Sequence, residues 1–230
     1  MTVTDTDSGF GPFDLAGPPS SLRRDFLVSD ANSSAFSMIS GDRWQDGRLV
    51  LTGPPSSGKS HLASIWSRES GAPFLNSRNI AELELDDIPA GVGVALDDAD
   101  EAAAQPESEA LLLHLLNFVF QNGGSVLLTA NEPPARWPIG LPDLKSRLEA
   151  ASLARVSRPD DKLLKGVLVK LFADRRVAVP PGVVEYVVSR MDRSFAEAAR
   201  IVGEIDRCSL VEGRRISRRL AADVLNGKYG

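Results

Sequence analysis

Residues 53–60 read "GPPSSGKS" and fit the pattern G-x-x-x-x-G-K-[ST]. In that pattern small residues let backbone N–H groups turn inward around phosphate, the lysine reaches the β and γ phosphates, and the last hydroxyl faces a divalent cation. Eight such residues also suit a chance Gly/Pro turn, so the flanks must decide. Before them "RLVLTG" (48–53) reads as a buried strand, and after them "SHLASIWSRES" (60–70) sets Leu62, Ile65 and Trp66 at the spacing of a helix face. Strand, loop and helix in this order are the context the motif requires, because a helix N-terminus favours an anion.

The same alternation continues outward. "PFLNS" (73–77), "GVALDDAD" (93–100), "SVLLTANEPP" (125–134) and "ASLARVS" (151–157) read as strands, with the helix-like "SEALLLHLLNFVFQNGG" (108–124) between them. Short apolar strands separated by helices predict an α/β unit, a parallel five-stranded sheet flanked by helices. Beyond Pro159 only helical patterns follow, in "DDKLLKGVLVKLFADRR", "PPGVVEYVVSRM", "SFAEAARIVGEIDRCSLVEG" and "ISRRLAADVLNG". The expected organisation is a polar arm over 1–22, a nucleotide-binding P-loop domain over 23–158 and a small all-helical lid over 159–230. Within the arm, "FGPFDL" (10–15) is an apolar island of the kind that docks on a partner.

Composition narrows the function classes. A chain of 230 residues with 43 % hydrophobic content is large enough for one core and a small second domain, and a net charge of -5 argues against a surface that binds nucleic acid as a whole. The single Cys208 excludes an internal disulfide and a cysteine metal cluster, and its apolar surroundings predict a buried thiol. No run reaches the roughly 18 apolar residues of a membrane helix, and the acidic N-terminus lacks the features of a signal peptide, so the expected location is cytoplasmic.

Several polar residues stand where chemistry is expected. "VALDDAD" delivers Asp97 and Asp98 at the carboxyl end of a strand, where ligands of parallel sheets bind. Asp97, together with Ser60, is the candidate for Mg²⁺, and Asp98 for orienting an attacking water; Asp100 competes for either role. Asn131 ends the strand "LLTAN" and either contacts phosphate or only begins the turn into "EPP". Arg147 in "LPDLKSRLEAA" reads as a solvated helix residue on its own. The lid concentrates Arg207, Arg214, Arg215, Arg218, Arg219 and Lys228, either a solvated face or one that meets phosphate or an acidic partner. His61 and His114 have no partner at metal-ligand spacing and read as packing or surface residues.

With glycine loop, acidic strand, Asn-ended strand, "LKSRL" (144–148) and helical lid in this order, the chain resembles the DnaA-like AAA+ ATPases of the bacterial replication-initiator group. The resemblance covers about residues 22–228, and its more specific signs are "DFLVSDANSSA" (25–35), similar to the family's F-x-V-G-x-x-N segment beside the nucleotide base, "LLTANEPPARW" and "LPDLKSRLEA". It implies an AAA+ fold holding ADP or ATP with Mg²⁺. Nucleotide contacts are implied for Gly53, Pro54, Ser56, Ser57, Gly58, Lys59, Ser60 and His61, with Phe26 and Val28 beside the base. It makes Asp97 and Asp98 the Walker B pair, Asn131 the sensor 1 residue, and Arg147 an arginine finger that enters a neighbour's nucleotide site.

Two departures matter. Ala196 stands where the family's lid carries a sensor 2 arginine, with Arg193 and Arg200 nearby, which implies weak hydrolysis by the chain itself. In the arm, Pro12, Phe13 and Leu15 match the apolar end of the family's clamp-binding peptide, while Phe10 stands where glutamine is expected. The chain also stops at Gly230, short of the initiator's helix-turn-helix domain. Among DnaA-like proteins it looks most like the short homologues that, with the DNA polymerase III sliding clamp, promote hydrolysis of DnaA-bound ATP. The implied partners are DnaA, the clamp and further copies of the chain, without a membrane and without strong sequence-specific DNA binding. A loader or remodelling ATPase acting on DNA or a helicase, an anchoring homologue whose arm binds another partner, and a small-molecule kinase are the alternatives.

Overall fold

A computed structural model of the chain describes residues 23, 26–41, 44–82 and 84–227. The arm residues Phe10, Pro12, Phe13 and Leu15, and Lys228 at the other end, lie outside the described residues.

Strands β1 (Arg48–Thr52), β2 (Phe74–Asn76), β3 (Val94–Asp97), β4 (Val126–Ala130) and β5 (Ser152–Arg155) form one sheet in the order β2-β3-β4-β1-β5. Every pairing is parallel, with Thr52 opposite Ala130 and Leu96 opposite Leu128. Successive side chains of a strand point to opposite faces, and both faces here are apolar. Leu49, Leu51, Ala95 and Leu127 pack with α1 (Ser33–Ile39) and α2 (Lys59–Ser70), while Val50, Val94, Leu96 and Leu128 pack with α3 (Ala99–Ala103), α4 (Pro106–Gln121) and α5 (Pro142–Glu149). Each fully buried leucine contributes about 1.5–3 kcal/mol, so facial packing holds even the three-residue β2 in place.

Beyond β5 come only helices: α6 (Asp161–Asp174), α7 (Pro181–Val188), α8 (Phe195–Glu212) and α9 (Arg218–Leu225). They enclose their own core of Leu168, Phe172, Val187, Ile201, Ile205 and Leu220, in which Cys208 is buried as expected. Three of the four begin with a side-chain cap: Asp160 accepts from the Leu163 N–H, Ser194 from Glu197 and Ser217 from Leu220. Among the described residues no helix is long and apolar enough to cross a membrane.

The structure departs from the sequence expectation in three places. The run "GVALDDAD" is not strand to its end: Asp98 adopts φ 51°, ψ 46° and turns the chain into α3. Helix α4 starts at Pro106, whose missing N–H is harmless in a first turn. Helix α1 begins at the end of the segment read only as flanking the base and runs four residues past it.

Candidate functional site

The glycine loop leaves the carboxyl end of β1, the strand that lies between β4 and β5. Two glycines there are required by space. A Cβ on Gly53 would lie 2.1 Å from the Val156 carbonyl oxygen, and Gly58, at φ +100°, sits where a Cβ would lie 3.0 Å from the Phe195 ring. Helix α2 begins at Lys59, and no side chain caps it among the described residues, so its first N–H groups face the loop unpaired by a cap. Ser57 is buried in the same loop, and its Oγ has no hydrogen-bond partner among the described residues. Paired glycines, an uncapped helix start and an orphaned buried hydroxyl fit a phosphate group.

Lys59 is only 5 % exposed. Its Nζ donates to the carbonyl oxygens of Gly53 at 2.9 Å and Pro54 at 3.0 Å, and to Asn131 Oδ1 at 3.2 Å. Burial lowers its pKa, and the carboxylates of Asp98, Asp97 and Asp100 oppose that shift. The lysine is therefore held at the loop by neutral acceptors that phosphate oxygens can replace.

The acidic residues divide their work. The Asp97 carboxylate accepts a short hydrogen bond from the Thr129 hydroxyl, and the same Thr129 oxygen accepts from the Asp98 N–H at 3.0 Å. Thr129 thus fixes both members of the pair. Burial, then Asp97, Glu101 and Asp100, raises the Asp98 pKa above the usual 3.8, with Lys59 pulling the other way. A carboxylate raised in this manner is a better proton acceptor than an ordinary one. Asp100, the competitor, uses Oδ2 to accept from the Asn131 N–H at 2.8 Å, while its Oδ1 is buried without a partner among the described residues. Asn131 follows the last residue of β4, and its side-chain oxygen accepts from Lys59.

Ser60 is exposed in the first turn of α2, on the loop's open side. Among the described residues no group of three or more His, Cys, Asp or Glu could hold a metal ion by itself. A Mg²⁺ between Ser60 and Asp97 would therefore take most of its oxygens from nucleotide and water.

Beside the loop, the Phe26 ring stacks on Phe36 at 5.2 Å and meets His61 edge-on at 5.5 Å, so Phe26, implied beside the base, touches His61, implied as a nucleotide contact. Val28 is exposed next to them. The buried Asn32 holds this segment: its Nδ2 donates to the Leu27 carbonyl and its Oδ1 accepts from the Ser29 N–H. The lid closes over the loop at Phe195, whose N–H donates to the Ser56 carbonyl at 3.3 Å. Ala196 is exposed next to it. Arg193 pairs with Asp161 at 2.9 Å, and Arg200 is taken by Glu197 and Glu204 at 2.7 and 3.0 Å. The Glu197 hydrogen bond raises the Arg200 pKa, and Arg200 in turn lowers that of Glu197. Both arginines near position 196 are thus engaged by lid carboxylates.

Arg147 stands elsewhere. Its backbone carbonyl accepts from Arg48, the first residue of β1, whereas the glycine loop follows the last. At about 3.3 Å per residue the two ends of this strand are about 13 Å apart. The charges acting on Lys59 are Asp98, Asp97 and Asp100, whereas Arg147 and Asp143 act on Arg48.

Thr129 and Phe195 escape the sequence reading, and Asn32 enters it only as the last residue of the segment similar to F-x-V-G-x-x-N. A threonine in the apolar run "SVLLTA" is a signal for Thr129, because a hydroxyl on a strand buried along its length needs a partner.

No family model matches the chain. The chromosomal replication initiator protein DnaA of Thermomicrobium roseum is 25 % identical over 130 residues, 56 % of this chain and 28 % of that protein, so the match spans little more than a quarter of the relative's length. Domain III of the Thermotoga maritima replication initiation protein DnaA superposes with a TM-score of 0.80 at 16 % identity, covering 92 % of this chain and 97 % of that one. AMPPCP-bound DnaA from Aquifex aeolicus gives 0.65 at 14 % identity, over 85 % of this chain and 66 % of that one. The chain carries a DnaA-like AAA+ fold, with the parallel five-stranded sheet and the C-terminal helices that the sequence led us to expect.

Proposed function

We propose that the chain is a nucleotide-bound regulator of replication initiation, of the Hda type, that stimulates hydrolysis of ATP held by DnaA. The position of Arg147 carries this reading. It lies at the far end of β1 from the chain's own loop, beyond the reach of one side chain, and is exposed enough to meet a second protein. A guanidinium there serves a neighbour's phosphates, where it stabilises the charge that develops as the bond breaks.

The chain's own site supports a holding role. Gly53, Gly58 and the start of α2 form the phosphate cradle, Lys59 supplies the charge, and Ser60 with Asp97 would hold Mg²⁺. Phe26, Val28 and His61 line the side toward the base. ADP or ATP bound there joins loop to lid through Phe195, and binding to the folded form alone stabilises it. With Ala196 at the lid and both nearby arginines engaged, turnover in this site is slow. The similarity to DnaA supports a role in replication, and the AMPPCP in the Aquifex protein supports a nucleotide ligand. The apolar arm peptide is the element we assign to the sliding clamp, and the chain acts in the cytoplasm.

The test is single-turnover hydrolysis of ATP pre-bound to the cognate DnaA, with clamp-loaded DNA and excess chain. The parent accelerates hydrolysis, and Arg147→Ala lowers the accelerated rate by about 10³-fold or to background. A rate that the parent chain leaves unchanged would sink the regulator reading.

A further inference from the structure

Arg147 is held from two sides. Arg48 Nη1 donates to its backbone carbonyl at 3.0 Å, and its own Nε donates to Asp143 Oδ1 at 3.0 Å, one helical turn earlier on α5. That Nε contact is the only hydrogen bond its guanidinium makes among the described residues, so the edge formed by the two terminal amino groups is uncommitted. Asp143 and Arg147 are 58 % and 34 % exposed, and an ion pair so open to solvent adds little to folding.

Arg48 is the opposite case. It is 6 % exposed, lies over the Phe120 ring at 5.6 Å, and has a buried Nε with no partner among the described residues. A guanidinium in that place is not needed for packing, since an apolar side chain of similar volume serves a buried site as well. What it does there is hold one carbonyl, in the last turn of the helix that carries Arg147, and a cation at a helix C-terminus is favourably placed.

Resting on the finger reading above, we propose that Asp143 and Arg48 are positioning residues that preset Arg147 for a partner's phosphate. Arg48 fixes the backbone from which the side chain springs. Asp143 takes Nε and leaves the terminal amino groups as a two-pronged donor for phosphate oxygens, the geometry guanidinium uses in bidentate recognition. Presetting the rotamer removes part of the ordering cost that docking otherwise carries.

Two readouts on the full chain test this. The first is nitrogen NMR of the Arg147 Nε–H, which in the parent is as ordered as the helix backbone and in Asp143→Ala becomes mobile. The second is the single-turnover assay with cognate DnaA. Asp143→Ala lowers the saturating rate about 10-fold, with half-saturation changed less than about 2-fold, and Asp143→Glu restores it. Arg48→Met does the same and Arg48→Lys, which can still donate to the carbonyl, recovers most of the rate; melting curves confirm that each variant is folded. In an Arg147→Ala background neither change has a further effect.

A mobile Nε–H in the parent overturns the proposal, as does an Asp143→Ala variant that is unchanged, or one that is faster, which would make Asp143 a latch. Loss of rate that persists without Arg147 overturns it too. If the parent shows Arg147-dependent acceleration that Asp143→Ala and Arg48→Met leave intact, only the presetting falls. If the parent shows no acceleration, the regulator reading falls and takes the presetting with it.

Discussion

Two buried cations sit at opposite ends of β1, and the protein surrounds them differently. Lys59, just past the carboxyl end, is 5 % exposed, bonds three oxygens and lies in the field of three carboxylates. Arg48, at the amino end, is 6 % exposed, holds one carbonyl and, among the described residues, leaves its Nε unpaired beside an aromatic ring. The first environment is one of exchangeable acceptors, in which a ligand's oxygens can take over from the protein's. The second offers a single backbone carbonyl, at the end of the strand away from the glycine loop, so its cation keeps one attachment. One strand thus separates a place for binding from a place for bracing.

The largest expected effect lies at the binding end. Lys59→Ala weakens ATP and ADP binding about 100-fold, the loss of one or two charge-assisted hydrogen bonds. Under the same titration calorimetry, Arg48→Met changes affinity less than about 3-fold. Equal losses from the two variants would erase the distinction.

A pH experiment sharpens it. Because the folded state raises the Asp98 pKa above its usual 3.8, the stability linked to that group is present below that pH and is lost as pH rises through the folded value. Asp98→Asn, which removes this half-buried charge, therefore melts higher than the parent near pH 7, and the gap closes as pH falls toward 4. A gap that stays constant between those limits would show that the carboxylates do not burden this end of the strand.

The smallest effect lies at the bracing end. Arg48→Met removes a desolvated charge together with its one hydrogen bond, and these oppose each other. The melting temperature shifts by less than about 4 °C. A larger drop would mean that Arg48 supports the fold as a whole, more than the turn that carries Arg147.

The fold was legible in the sequence because its signals are local. Short apolar strands, a glycine loop between strand and helix, and a change to helices only after Pro159 each occupy one short window. The candidate glycine loop was legible for the same reason, since Gly53 to Ser60 are consecutive. What escaped was contact across the chain. Arg48 meets Arg147 across 99 positions, and Asp97 meets Thr129 across 32, with nothing in either window to announce the other. Phe195 reads as an ordinary first-turn apolar residue, and only the closeness of Gly58 shows that it belongs to the loop. Helix α3 escaped because a strand ending in aspartates gives no sign that one of them will reverse the backbone.

That reversal restricts what position 98 can become. At φ 51°, ψ 46° the backbone is left-handed, a region that aspartate, asparagine and glycine enter at little cost and other side chains resist. A glutamate there, often treated as the conservative exchange for a carboxylate, changes the conformation along with the reach of the acid. The set of replacements open to drift or to design at this site is thus narrowed by geometry before chemistry is consulted, and asparagine is the one acyclic neighbour that alters the charge alone.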